Sequence, residues 1–183
     1  MTSRRKAREV VLKILYLSES RGINVDTAID EMSAIDKEIA DLTDDSDIKY
    51  LHPFSLGLDE KQKEFVITLS RRIEENRDVL NNYIKPVLKN WDFSRISRID
   101  RIILWIALAE MLYLFDIPIA VSFNEAIELA KKFSSEKSSS FVNGILDAAA
   151  RNMGVNAKSP DFEDGSEKSL IVVALSFEDA PVV

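Results

Sequence analysis

Apolar residues recur at the 3.6-residue spacing of an α-helix along most of this 183-residue chain, and only five Gly and five Pro interrupt them. That periodicity points to an all-α fold, because half-buried strands would need strict alternation instead. Ala7, Val10, Val11, Ile14, Leu15 and Leu17 form the first stripe, with Arg5, Glu9 and Lys13 largely outside it. Ile29, Met32, Ile35 and Ile39 mark a second helix over Val25–Leu42. A third covers 59–75 with Phe65, Val66, Leu69 and Ile73 inward, and a shorter piece over 78–88 is ended or kinked by Pro86. The stretch 95–115 is the most apolar. Ile96, Ile99, Ile102, Ile103, Ile106, Leu108 and Leu112 cover well over half of its circumference, which makes it the central, most buried helix. Pro118 suits the first turn of the next helix, which runs to Phe133. The serine cluster 134–140 supplies caps for a last helix ending near Asn152, with Gly154 as its stop.

Two stretches depart from this pattern. Residues 43–58 carry several acids, a Pro and a Gly, and read as a loop longer than most connections in a compact domain. Residues 155–183 open polar and acidic, then close on the β-branched run Ser169-Leu-Ile-Val-Val-Ala-Leu-Ser-Phe177, which suits a buried strand, a docked segment or a self-associating strand. The expected organisation is therefore a helical domain over 1–154 and a C-terminal extension over 155–183.

Composition removes several function classes. The chain has no Cys, which excludes a disulfide scaffold, an iron–sulfur cluster and a thiolate zinc site. No apolar run approaches the ~20 residues of a membrane helix, and the basic start Met1-Thr-Ser-Arg-Arg-Lys6 lacks the apolar segment of a secretory signal. A cytoplasmic protein without membrane attachment is the expectation. The single histidine, His52, lies in the Pro-containing loop and reads as a surface residue. There is no phosphate-cradling glycine loop, no metalloprotease helix and no nucleophile elbow. The carboxylates at 26, 30, 31, 36, 38 and 41 are spread around one helix, as on a solvated face. No enzyme, cofactor or metal site is expected.

The formal net charge of −7 conceals a basic start. Arg4, Arg5, Lys6 and Arg8 stand where a helix begins, at the end already carrying partial positive charge. Cations there cost on the order of 0.3–1 kcal/mol each, and a bound anion reverses that sign. The charge argument alone leaves two readings open: a phosphate site, or a frayed and solvated terminus.

The motifs narrow this. Arg4-Arg5-Lys6-Ala7-Arg8-Glu9 before an apolar helix resembles the opening of the NusB family of transcription antitermination factors. A stronger likeness lies in Ile96-Ser-Arg-Ile-Asp-Arg-Ile-Ile-Leu104, then Ile117-Pro118, then Ser122-Phe-Asn-Glu-Ala-Ile-Glu-Leu-Ala-Lys-Lys-Phe133, then Ser140-Phe-Val-Asn-Gly-Ile-Leu-Asp147. The resemblance covers about residues 4–152 and leaves the tail outside. It implies an all-α fold of about seven helices in two small subdomains. It also implies pairing with NusE, a small-subunit ribosomal protein, to bind the boxA element of nascent ribosomal RNA within an RNA polymerase antitermination complex.

Carried over by position, the RNA-facing residues are Arg4, Arg5, Lys6 and Arg8, with Ser138, Ser139, Ser140 and Phe141 at the start of the last helix. The NusE-facing surface lies around Asp100 and Arg101, for which an ordinary solvated ion patch is the plain alternative. Phe141 likewise has a competing place in the apolar pattern with Val142 and Ile145. The chain departs from the family in carrying Ser140 where a basic residue is common and Lys137 where an acid is common, so a phosphate contact moves from 140 to 137. Trp105 and Ala109 stand where Arg and Tyr are common. Family members occur as monomers and as homodimers that cover the RNA face. A NusB-like interaction or dimerisation module without RNA recognition is the alternative function. A methyltransferase with such a domain is excluded by the short tail.

Overall fold

The computed structural model describes residues 3–42, 58–88 and 92–154, so the expected loop over 43–58 (all but its last residue), His52 and the apolar tail run 169–177 lie outside the described residues. These residues form seven α-helices, α1 (Ser3–Arg21), α2 (Val25–Leu42), α3 (Glu60–Glu75), α4 (Arg77–Ile84), α5 (Arg98–Tyr113), α6 (Ile119–Phe133) and α7 (Ser138–Asn152). Short 3-10 turns at Lys85–Val87 and Phe93–Arg95 precede α5. No strand occurs among the described residues, and no helix there is long and apolar enough to cross a membrane. The chain divides into two compact units, Met1–Arg77 and Asp78–Val183.

In the first unit α1 packs on both α2 and α3. Ala7, Val10, Val11, Ile14 and Leu15 are wholly buried against Val25, Ala28, Val66, Leu69 and Ile73. The expected stripes are largely the packed faces, with Leu17, Ile29, Ile35 and Phe65 as exceptions. Leu17 is only half-buried while Leu12 is buried, and Ile35 is 46% exposed because the buried face of α2 runs through Val25, Ala28 and Met32. Gly22 ends α1 at φ 65°, a left-handed turn that a side chain would strain. The Ser18 hydroxyl closes that turn on the Ile23 carbonyl at 2.6 Å. Asp59 and Gln62 form a reciprocal capping box at the start of α3.

In the second unit α5, α6 and α7 pack on one another. Every residue from Ile102 to Leu112 is buried, which makes α5 the central helix of its unit. Ala107, Ala109, Ala126, Ala130, Ala149 and Ala150 are buried, and such short side chains let the helices approach closely. Trp105 is accommodated at 3% exposure by donating its indole N–H to Asn81 Oδ1 at 2.8 Å.

Several boundaries differ from the sequence reading, and two of them bear on the site. The central helix starts at Arg98 rather than 95, because extended Ser97 caps it by accepting the Asp100 N–H at 3.0 Å. Residues 93–95 form a separate turn capped by Asp92. The last helix starts after Lys137, whose side chain makes no capping bond, so the serine cluster does not serve as expected. Its hydroxyls are used elsewhere, as described below. Gly154, at φ 72°, does follow the last turn and donates its N–H to Arg151.

Candidate nucleic-acid interface

The start of α1 carries three cations and no acid in its first turn. Arg4 and Lys6 are exposed and Arg5 is half-buried, a consequence of helical spacing around the buried Ala7. Arg8 is different. It follows Ala7 onto the packed side and is 2% exposed, so its expected place at the RNA is corrected to an internal one. The guanidinium groups of Arg4 and Arg8 lie 5.5 and 5.8 Å from the ring centroid of Phe65 on α3. Apolar spacing assigns Phe65 to the core. It is instead half-buried, and the two arginines cover its ring, an arrangement the ring's quadrupole favours. Nothing in the spacing of α3 announces that pairing.

The start of α7 is built from neutral groups. Lys137 and Ser140 are exposed, and Ser139 and Phe141 are half-buried. Phe141 is thus neither wholly core nor wholly exposed, a point the apolar pattern with Val142 and Ile145 left open. Ser138 is 4% exposed and turned inward, a second correction to the expected RNA-facing set. Its hydroxyl donates to Asp100 Oδ2 at 3.1 Å, while Ser134 donates to Asp100 Oδ1 at 2.7 Å. The Ser138 oxygen also lies 2.9 Å from that of Ser134 and 2.8 Å from that of Ser135; with the protons of Ser134 and Ser138 both on Asp100, Ser135 is the donor to Ser138.

The resemblance assigns Asp100 to a partner surface. The structure places it inside, 8% exposed, with both carboxylate oxygens bonded to serine hydroxyls. Burial of a carboxylate is costly unless donors replace its water, and the serines of the α6–α7 turn do so. A signal was available: a carboxylate in the most apolar helix needs donors, and this cluster is a reservoir of them. Arg101 beside it is half-buried, with its guanidinium 5.8 Å from the Phe93 centroid and 5.3 Å from that of Trp105.

These arrangements can do limited chemistry. Exposed cations at a helix start attract phosphates, and a half-open aromatic ring offers an unpaired base a stacking surface. Among the described residues no group of three or more His, Asp or Glu is placed to hold a metal ion.

Comparison with known proteins shows the family and the fold. The NusB family model matches residues 5–151. The transcription antitermination protein NusB of Clostridium botulinum (strain Kyoto / Type A2) is 38% identical over 144 residues, which cover 79% of this chain and 96% of the relative. The solved structure of T. maritima NusB superposes with a TM-score of 0.68 at 32% identity, covering 88% of this chain and 98% of that one. A structure of antitermination factors NusB and NusE in complex with dsRNA shares the fold, with a TM-score of 0.62, 21% identity and coverage of 83% and 98%. Sequence and fold agree, and the chain belongs to the NusB family.

Proposed function

We propose that this chain is a transcription antitermination factor that binds single-stranded boxA RNA of nascent ribosomal RNA together with NusE, as part of an RNA polymerase antitermination complex. The carrying observation is the first turn of α1, with Arg4, Arg5 and Lys6 and no carboxylate. In a protein of net charge −7, that is a local rather than a general polyanion site. The family membership supports the reading, as does the shared fold with NusB solved alongside NusE and dsRNA.

In this reading Arg4, Arg5 and Lys6 neutralise phosphates and release counterions. Lys137 adds a further phosphate partner, Ser139 and Ser140 offer hydroxyls to base edges and 2′-OH groups, and Phe141 stacks on a base, worth ~1–3 kcal/mol. Arg8 acts from inside by packing on Phe65. Arg101, held against Phe93 and Trp105, is the member of the expected pair that faces NusE. A homodimer covering these groups would compete with RNA.

The test is fluorescence anisotropy of a short boxA RNA, alone and with NusE, over a salt series, with scrambled and duplex competitors. Binding should tighten with NusE, weaken steeply with salt and be lost on scrambling. Absence of binding even with NusE rejects the proposal in favour of a protein-interaction module.

A further inference from the structure

We infer that Asp100 is a positioning residue that sets the RNA-contacting start of α7 by bracketing it to α5 through serine hydroxyls. The inference rests on the function proposed above and gives a role to a residue that is 8% exposed and whose carboxylate is taken up by serine hydroxyls. Three observations meet at this point. Lys137, at the N-cap of α7, makes no side-chain capping bond, so the usual device for fixing a helix start is missing. The two oxygens of Asp100 instead take hydroxyls from opposite ends of the α6–α7 turn: Ser134, directly after α6, and Ser138, the first residue of α7. Ser135 joins through Ser138, so three serines converge on one buried carboxylate.

Asp100 is itself fixed. Its N–H is held by Ser97, and it lies in the first turn of α5, where the helix dipole favours an anion. The bracket therefore ties the start of α7 to the most buried helix of its unit. Residues 139–141 follow Ser138 directly, and the Phe141 N–H donates to the Lys137 carbonyl at 3.2 Å. A shift of Ser138 would carry the Phe141 ring with it. Buried networks in which every member is bonded specify one geometry, and stacking needs one.

The chemistry predicts a distinction between two substitutions. In Asp100→Asn the amide oxygen still accepts from Ser134, and the amide N–H₂ donates to the Ser138 oxygen, so the bracket survives without the charge. In Asp100→Ala it is lost. Full-length wild type and variants, each with NusE, are titrated against the boxA RNA over a salt series. Asp100→Ala should weaken binding by about tenfold, the scale of one lost base stack. The slope on salt should be unchanged, because every phosphate-neutralising cation remains. Asp100→Asn should stay within about threefold of wild type. Phe141→Ala should cost much less in the Asp100→Ala background than in wild type, the coupling expected of residues acting as a unit.

Ser134→Ala, which removes one hydroxyl and keeps the carboxylate, gives a milder version should Asp100→Ala fail to fold. Its smaller loss should show the same coupling to Phe141. An Asp100→Asn variant as weak as Asp100→Ala means that the charge acts directly, and overturns the bracket. So does wild-type affinity in Asp100→Ala, or additivity with Phe141→Ala. Loss of RNA binding by the wild type itself would instead reject the proposed function and this inference with it.

Discussion

The two units tie their helices together with different polar chemistry. In Met1–Arg77 the polar links between helices are made by charged side chains, exposed or part-buried. Arg21 pairs with Glu31, Arg71 with Asp26 at 2.8 Å, and Arg77 with Glu19, while Glu74 accepts the Val25 N–H at 2.8 Å. In Asp78–Val183 the links are buried or part-buried and built on hydroxyl or indole donors. Ser122 donates to Glu110 at 2.7 Å, the serine cluster to Asp100, and Trp105 to Asn81. The same contrast holds for the two helix starts proposed to meet RNA: α1 presents charge, α7 presents hydroxyls and a ring. Exposed ion pairs are weak, adjustable and screened by salt, whereas buried hydrogen bonds are short-range and costly to leave half-made. The first unit is thus suited to attracting a polyanion and the second to holding one geometry.

The sharpest way to break this comparison is at the RNA. Replacing Arg4, Arg5 and Lys6 together with Ala should lower affinity by ten- to a hundredfold at moderate salt. It should also make the plot of log K against log salt shallower by about 2, near 0.7 for each phosphate left without its cation. Phe141→Ala should cost roughly five- to a hundredfold with the slope unchanged. If both variants changed the slope alike, the division into an electrostatic and a stacking contribution would be wrong. Arg8→Ala belongs to neither class. Its guanidinium is buried over Phe65, so its main effect should be on stability, by about 1–3 kcal/mol in urea unfolding.

The next effect is on stability in the second unit. Ser122→Ala removes a hydroxyl donor from Glu110, which is 1% exposed. It should cost about 1–3 kcal/mol, and added salt should not restore it. In the first unit Asp26→Asn, which breaks the exposed pair with Arg71, should cost no more than about 0.5 kcal/mol and nothing measurable in about 1 M salt. Equal costs at the two sites would erase the contrast.

The smallest effect concerns alkaline pH. Burial, helped by Tyr113, pushes the Tyr83 phenol up to about 12 from its ordinary 10.0. Raised in the folded state, this group favours folding fully below pH 10, and its contribution is lost as pH climbs through about 12. Thermal unfolding of wild type and Tyr83→Phe should run parallel below pH 10. Above it wild type should fall faster.

Helix existence is legible in the sequence because it depends on local spacing. Periodicity alone gives Val25–Leu42 its observed bounds, and it misses the start of Glu60–Glu75 by one residue because Asp59 is the cap. The exposed part of the candidate site is equally legible. Arg4, Lys6, Lys137 and Ser140 are at the surface where position in their helices puts them. Arg8, Ser138 and Asp100 depart from expectation for one reason. The resemblance carried each to a binding surface by its position in the motif, and position does not show which partner elsewhere in the chain turns it inward. Asp100 and Ser138 lie 38 residues apart and bond directly, a relation that periodicity cannot carry.

Local patterning suffices to show that this chain is helical, roughly where its helices lie, that basic charge gathers at the N-terminus, and which family its motifs resemble. Tertiary structure alone decided which polar groups turn inward, that Phe65 lies under two arginines, and that the start of α7 is held by a carboxylate on α5. Apolar patterning is encoded within one or two turns, while the satisfaction of a buried charge depends on which distant donors the packed chain brings to it.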